Sequence, residues 1–157
     1  MTFGAAGGQQ MGPQARTPAV EPTVLLVISL GGGLGAVLRY VVGLGWPTPP
    51  GQVPWSTLAI NVSGCFAIGI LMVLITEVWV AHRLLRPFLG IGLLGGFTTF
   101  STYALEIRRL LESGATTEAL GYLGGTVAAS LGAVWLGMGV ARLATGTARR
   151  QQRGGRQ

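Results

Sequence analysis

Gly95-Gly96-Phe97-Thr98-Thr99-Phe100-Ser101-Thr102-Tyr103 lies in the middle of an uncharged run, Pro87 to Leu105, long enough to cross a bilayer. Six of these nine residues are Gly, Thr or Ser. Paired glycines and clustered threonines weaken a helix. At membrane depth, backbone groups released from a helix find no water and are tolerated only against protein, a cavity or an ion. A polar, breakable segment with Phe100 and Tyr103 three residues apart therefore reads as part of a path for an ion or small substrate.

The rest of the chain fits a membrane protein. Of its 157 residues only 10% are charged, against about 25% in a soluble domain. Every cation is Arg, and there is neither Lys nor Asp. A basic excess accompanies nucleic acid or a membrane surface. Here most Arg residues stand at segment ends and in the last nine residues, which favours the membrane flank and no nucleic acid. Cys65 is the only cysteine, so there is no internal disulfide and no CxxC metal site. His82 is the only histidine and there is no Asp, so metal and Ser-His-Asp catalysis both lack parts. The sequence does not read as an enzyme.

Crossing the hydrocarbon takes about 20 apolar residues. Uncharged runs extend from Pro22 to Leu38, Pro54 to Thr76, Pro87 to Leu105 and Ala119 to Ala141. They predict an all-α integral membrane protein with spans at about 22–44, 54–80, 87–111 and 117–144. The turn Trp46-Pro47-Thr48-Pro49-Pro50-Gly51 closes the first. Trp46, Trp55 and Trp79 fall near span ends, as interfacial aromatics do. Residues 21–144 form one membrane domain. Residues 1–20 are expected to be a disordered segment without the apolar core of a signal peptide, and 145–157 a basic tail.

Small residues recur within the spans. Gly31 and Gly35, Gly92 and Gly96, and Gly121 and Gly125 each form a small-xxx-small pair, which lets membrane helices approach closely. Such pairs serve packing within a subunit or against a second one. Four helices alone enclose little space, so a second subunit is expected on some of these faces.

Four polar features stand inside the spans. Arg39 is the one formal charge well within a span, either a functional charge or a snorkelling residue near a helix end. Asn61, some seven residues into the second span, is either interhelical glue or a pore donor. Tyr122, Thr126 and Ser130, spaced by four, share one helix face, although isolated hydroxyls in such helices commonly bond their own i−4 carbonyl. Phe100 and Tyr103 are either packing residues or a source of positive ring edges. Together these groups offer donors and few acids, which argues against a carboxylate-based cation or proton path.

Three motifs carry a family resemblance. They are Gly31-Gly32-Gly33-Leu34-Gly35-Ala36-Val37-Leu38-Arg39-Tyr40, then Thr57-Leu58-Ala59-Ile60-Asn61-Val62-Ser63-Gly64, then the Gly95–Tyr103 stretch with Glu106 following. In this order, over about residues 24–143, the chain resembles the fluoride-specific ion channels of the CrcB/Fluc family. The resemblance implies an antiparallel dimer of four-helix subunits, a third helix broken at its Gly-Thr motif, and two fluoride pores. It places Asn61, Phe100, Ser101, Thr102, Tyr103, Tyr122, Thr126 and Ser130 along the pore, with Tyr103 where a second Phe is common. Arg39 and Glu106 would be structural or vestibule charges. It also implies a structural Na⁺ on the dimer axis, held by the carbonyls of Gly95 and Thr98.

By helix count, one side carries Arg16, Arg83, Arg86, Arg142, Arg149, Arg150, Arg153 and Arg156, and the other carries Arg39, Arg108 and Arg109. The positive-inside rule puts both termini in the cytoplasm. That bias leaves two arrangements in a plasma or inner membrane, a homodimer in both orientations or a heterodimer with a paralogous subunit. Two other readings compete. A small four-helix exporter would depend on an acid in the first span, where Pro22 to Leu44 has none. A non-transporting assembly protein would explain the small residues but not the polar third span.

Overall fold

The computed structural model describes residues 21–78 and 83–154, with side chains to Gly146. The segment 1–20, Trp79 and residues 155–157 lie outside the described residues, so the expectations placed on them are not addressed.

The described chain is helical. Helix α1 is Pro22–Gly45, with Pro at its first turn and Glu21 extended before it. Proline suits that position because its missing N–H would be unpaired there anyway. Helix α2 is Trp55–Val73, continued by a π-helical segment, Leu74–Val78. The third span begins with a second π-helical segment, Pro87–Leu94, followed by α3 (Gly95–Phe97) and α4 (Phe100–Glu112). Helix α5 is Thr116–Gly154 and runs on past residue 144, where the span was expected to close. Four helical stretches are long and apolar enough to cross a membrane: Pro22–Gly45, Trp55–Val78, Pro87–Glu112 and Thr116–Gly146. The chain is a multi-pass membrane protein.

Glycine seams set the packing. Helix α1 lies along Pro87–Leu94 and α3, and α2 lies along α5. A Cβ added at Gly92 would stand 2.8 Å from the Ile28 carbonyl oxygen and 3.0 Å from Gly31 Cα. One at Gly96 would stand 2.9 Å from Gly32 Cα, and one at Gly35 would be 2.7 Å from Phe97 N. The glycines of the first and third spans therefore meet each other, backbone against backbone. In the other seam, a Cβ at Gly137 would stand 3.1 Å from the Phe66 carbonyl carbon, and one at Gly69 would stand 3.1 Å from Met138 N. Gly121 and Gly125 differ: a Cβ at either would meet nothing within 4 Å. That pair does not pack within the subunit.

At the α4–α5 corner, Gly114 adopts φ +80°, a conformation that favours glycine. The corner closes a small core of Tyr103, Leu110, Ala119 and Tyr122, with Val53, Leu58, Ile107 and Ala115 against it. Trp46 and Trp55 are exposed near span ends. Trp135 is 74% exposed in mid-helix, away from either interface.

Candidate functional site

The site is organised around the two residues between α3 and α4. Thr98 (φ −75°, ψ 155°) and Thr99 (φ −147°, ψ 125°) are extended, so the regular ladder of hydrogen bonds is interrupted there. Several groups at the interruption have new partners. Thr99 N–H donates to Asn61 Oδ1 at 2.8 Å, and Asn61 Nδ2 donates to Thr99 O at 2.9 Å. Thr99 Oγ1 caps α4 by accepting from Thr102 N at 3.2 Å, the usual role of an N-cap threonine. Arg39 Nε donates to Gly96 O at 3.2 Å. Arg39 thus braces the interrupted segment from α1, and Asn61 clamps it from α2.

The rearrangement leaves two carbonyls without their ordinary donors. In a continuous helix Thr99 N–H would bond Gly95 O, and Thr102 N–H would bond Thr98 O. Here the first is held by Asn61 and the second by Thr99 Oγ1.

Two cavities adjoin the segment, and a third adjoins the second. The first, about 300 Å³, is lined by Asn61, Thr98, Phe100, Tyr103, Thr126 and Ser130 among others. The second, about 400 Å³, includes Arg39, Thr57, Thr99, Thr102 and Glu106. Thr99 borders both. The third, about 380 Å³, lies under the turn Thr48–Gln52 and shares Thr48, Glu106 and Arg109 with the second. A polar series therefore leads from the loop between the first two spans toward the interrupted segment.

Glu106 sits at the centre of this series. It accepts from Thr57 Oγ1 at 2.8 Å and from Tyr122 OH at 2.8 Å. Tyr103 is buried, donates to the Leu123 carbonyl at 2.7 Å, and tilts against Phe100 and Tyr122 with ring centroids 5.8 Å and 5.3 Å away. Phe100 is 78% exposed. Among the described residues, the one buried side-chain polar atom without a hydrogen-bond partner is Thr126 Oγ1. A buried hydroxyl without a partner costs roughly 1–3 kcal/mol.

The expected pore residues are thus gathered unevenly. Asn61, Phe100, Tyr103, Thr126 and Ser130 line one cavity, and Thr102 lines the next. Tyr122 lies outside the first cavity and reaches it only through Tyr103. Ser101 is exposed, with its hydroxyl 3.4 Å from Thr99 Oγ1. Sequence reasoning missed Thr99 and Thr57. Thr99 directly before Phe100 was a visible N-cap candidate, whereas nothing local pointed Thr57 at Glu106.

Fold and site define a helical membrane protein with polar side chains gathered along cavities between its spans. The family described as "CrcB-like protein, Camphor Resistance (CrcB)" matches residues 26–138. The chain is 70% identical over 140 residues to the "Fluoride-specific ion channel FluC 2" of Nocardia farcinica, covering 89% of this chain and 100% of that protein. It is 49% identical over 140 residues to the FluC 1 channel of Streptomyces coelicolor, covering 86% and 91%. To the FluC channel of Rhodospirillum centenum it is 42% identical over 122 residues, covering 77% and 97%. The chain belongs to the CrcB family, and these relatives are named as ion channels rather than enzymes.

Proposed function

We propose that the protein is a passive, fluoride-selective anion channel that lets fluoride leave the cytoplasm across the plasma or inner membrane. The observation that carries this reading is Thr126. Its buried hydroxyl has no protein partner and belongs to a cavity that also holds Asn61, Ser130 and the Phe100 and Tyr103 rings. A small, strongly hydrated anion needs close donors to replace its water. Hydroxyls, the second N–H of an Asn amide and ring edges supply them without a fixed charge that would trap the ion. A negative-inside potential drives an anion outward with about 2.3 kcal/mol per 100 mV, so no fuel is required.

In this reading two subunits pair antiparallel and form two pores. The exposed Phe100 ring and the open Gly121 and Gly125 positions leave room for a partner, either a second copy or a paralogous subunit, with lipid around it. A structural Na⁺ on the dimer axis would be held by the carbonyls of Gly95 and Thr98, whose usual donors are committed elsewhere. Carbonyl oxygens suit a hard cation, which would add positive potential beside the anion path.

The test is efflux from proteoliposomes. Fluoride should leave down its gradient, electrogenically and without ATP, while chloride stays. Equal chloride flux, or flux that needs a proton gradient, would overturn the reading.

A further inference from the structure

The two adjacent arginines near the C-terminal end of α4 have different surroundings. Arg108 pairs with Glu112 at 2.7 Å. Arg109 has no carboxylate within salt-bridge distance among the described residues, and Glu106 acts on it only through a longer-range charge interaction. It lies instead where two cavities meet, on the wall that it shares with Thr48 and Glu106. Even with Glu106 ionised, the second cavity holds two guanidinium groups, Arg39 and Arg109, against one carboxylate. Glu106 already accepts from Thr57 and Tyr122, while Arg39 Nε is committed to Gly96 O. The cation facing the outer cavity without a hydrogen bond of its own is Arg109.

The rim above it is stiff. Pro47, Pro49, Pro50 and Pro54 restrict the backbone. Gln52 N–H bonds Pro49 O at 3.3 Å, and Gly51 has φ +76°. The turn therefore places Thr48 and Gln52 on the rim of the cavity.

We propose that Arg109, with Thr48 and Gln52 on the rim, forms an outer subsite for a small hydrated monovalent anion and passes it to the inner cavities. The subsite recruits rather than selects. A guanidinium is a diffuse, weakly hydrated cation and does not strip water from an ion as small as fluoride. Discrimination is left to the donors deeper in. The recruiting role rests on the channel reading above, whereas the anion subsite itself does not.

Trp46 lines the second cavity with Arg109 and reports on local anions. Iodide quenching of its fluorescence is obtained as the difference between the native protein and Trp46→Phe, at constant low ionic strength, with neutral acrylamide as control. Arg109→Gln should lower the iodide quenching constant about two- to threefold, as loss of one nearby unit charge in a water-like dielectric implies. Acrylamide quenching should be unchanged, and Arg109→Lys should restore the iodide value. Unchanged iodide quenching, or an equal fall with acrylamide, would overturn the subsite. Fluoride efflux at low fluoride should fall by a similar factor in Arg109→Gln and recover in Arg109→Lys. Normal efflux in Arg109→Gln would overturn the recruiting role. If the native protein passes no fluoride while the iodide difference persists, the channel reading fails and the subsite stands.

Discussion

Asn61 and Thr99 are joined by two antiparallel hydrogen bonds, 2.8 Å from Thr99 N to Asn61 Oδ1 and 2.9 Å from Asn61 Nδ2 to Thr99 O. One side-chain amide thereby replaces the helical acceptor that Thr99 N–H has lost and adds a donor to the Thr99 carbonyl. The amide therefore acts as interhelical glue, with one N–H committed to the backbone, and it also borders the cavity of the proposed pore.

Asn61→Asp should break this pairing. The carboxylate can still accept from Thr99 N–H but faces Thr99 O as a second acceptor. The two acceptors repel, and the lost hydrogen bond itself costs about 0.5–1.5 kcal/mol. We expect a lower thermal midpoint in detergent together with efflux reduced by at least tenfold. Normal efflux with an unchanged midpoint would remove Asn61 from both roles.

Thr126→Val should separate folding from conduction. The hydroxyl it removes has no protein partner, so stability should hold or rise by about 1 kcal/mol. Fluoride efflux should nevertheless drop severalfold, since one donor is gone from the inner cavity. A variant that is destabilised yet conducts normally would show that Thr126 is only a packing residue.

Thr57→Val and Tyr122→Phe each take one hydrogen bond from Glu106. Each should cost roughly 1.5–3 kcal/mol if the acid is ionised. Both donors serve one carboxylate, so their effects should not add, and the double-mutant coupling should reach about 0.5–3 kcal/mol. Strict additivity in thermal unfolding would mean that the three groups do not act as a unit.

Gly95 and Gly96 are neighbours with opposite surroundings. A Cβ at Gly96 would press on the Gly32 backbone at 2.9 Å, whereas one at Gly95 would have Gly90 O at 3.9 Å as its nearest neighbour. Gly96→Ala should therefore lower subunit stability by about 1–3 kcal/mol, while Gly95→Ala leaves the subunit fold intact. Gly95→Val, by contrast, bears on the proposed dimer and its Na⁺, and should weaken dimerisation and the effect of Na⁺ on it, because nothing within the subunit crowds that side. Equal loss of subunit stability in Gly95→Ala and Gly96→Ala would contradict this division.

The four spans were legible because each is an uncharged run bounded by Pro, Glu or Arg. The glycine pairs of the first and third spans were legible as spacing, but which faces meet is a tertiary matter. Hence the Gly121 and Gly125 pair looked equivalent to the others and stays open within the subunit. The hydroxyl row of α5 was also visible, although shared spacing fixes a face and not a partner. Tyr122 is long enough to reach Glu106, Thr126 reaches nothing, and Ser130 shares its cavity. Thr99 went unassigned because its part is played largely by backbone, which side-chain chemistry does not advertise. The π-helical segments and the exposed Trp135 had no local signature.

The glycine seam between α1 and Pro87–Phe97 bears on kinetics. Sliding either element by one residue would bring Leu30, Leu34 or Leu93 to a place where a single Cβ already meets backbone at about 3 Å. The seam is therefore locked in register, and the α2–α5 seam at Gly69 and Gly137 is locked the same way. A carrier that alternates between inward-open and outward-open forms must shear along such a seam once per cycle. Neither glycine seam among the described residues is free to shear, so in the proposed channel throughput would be set by ions hopping between fixed positions and should vary only weakly with temperature.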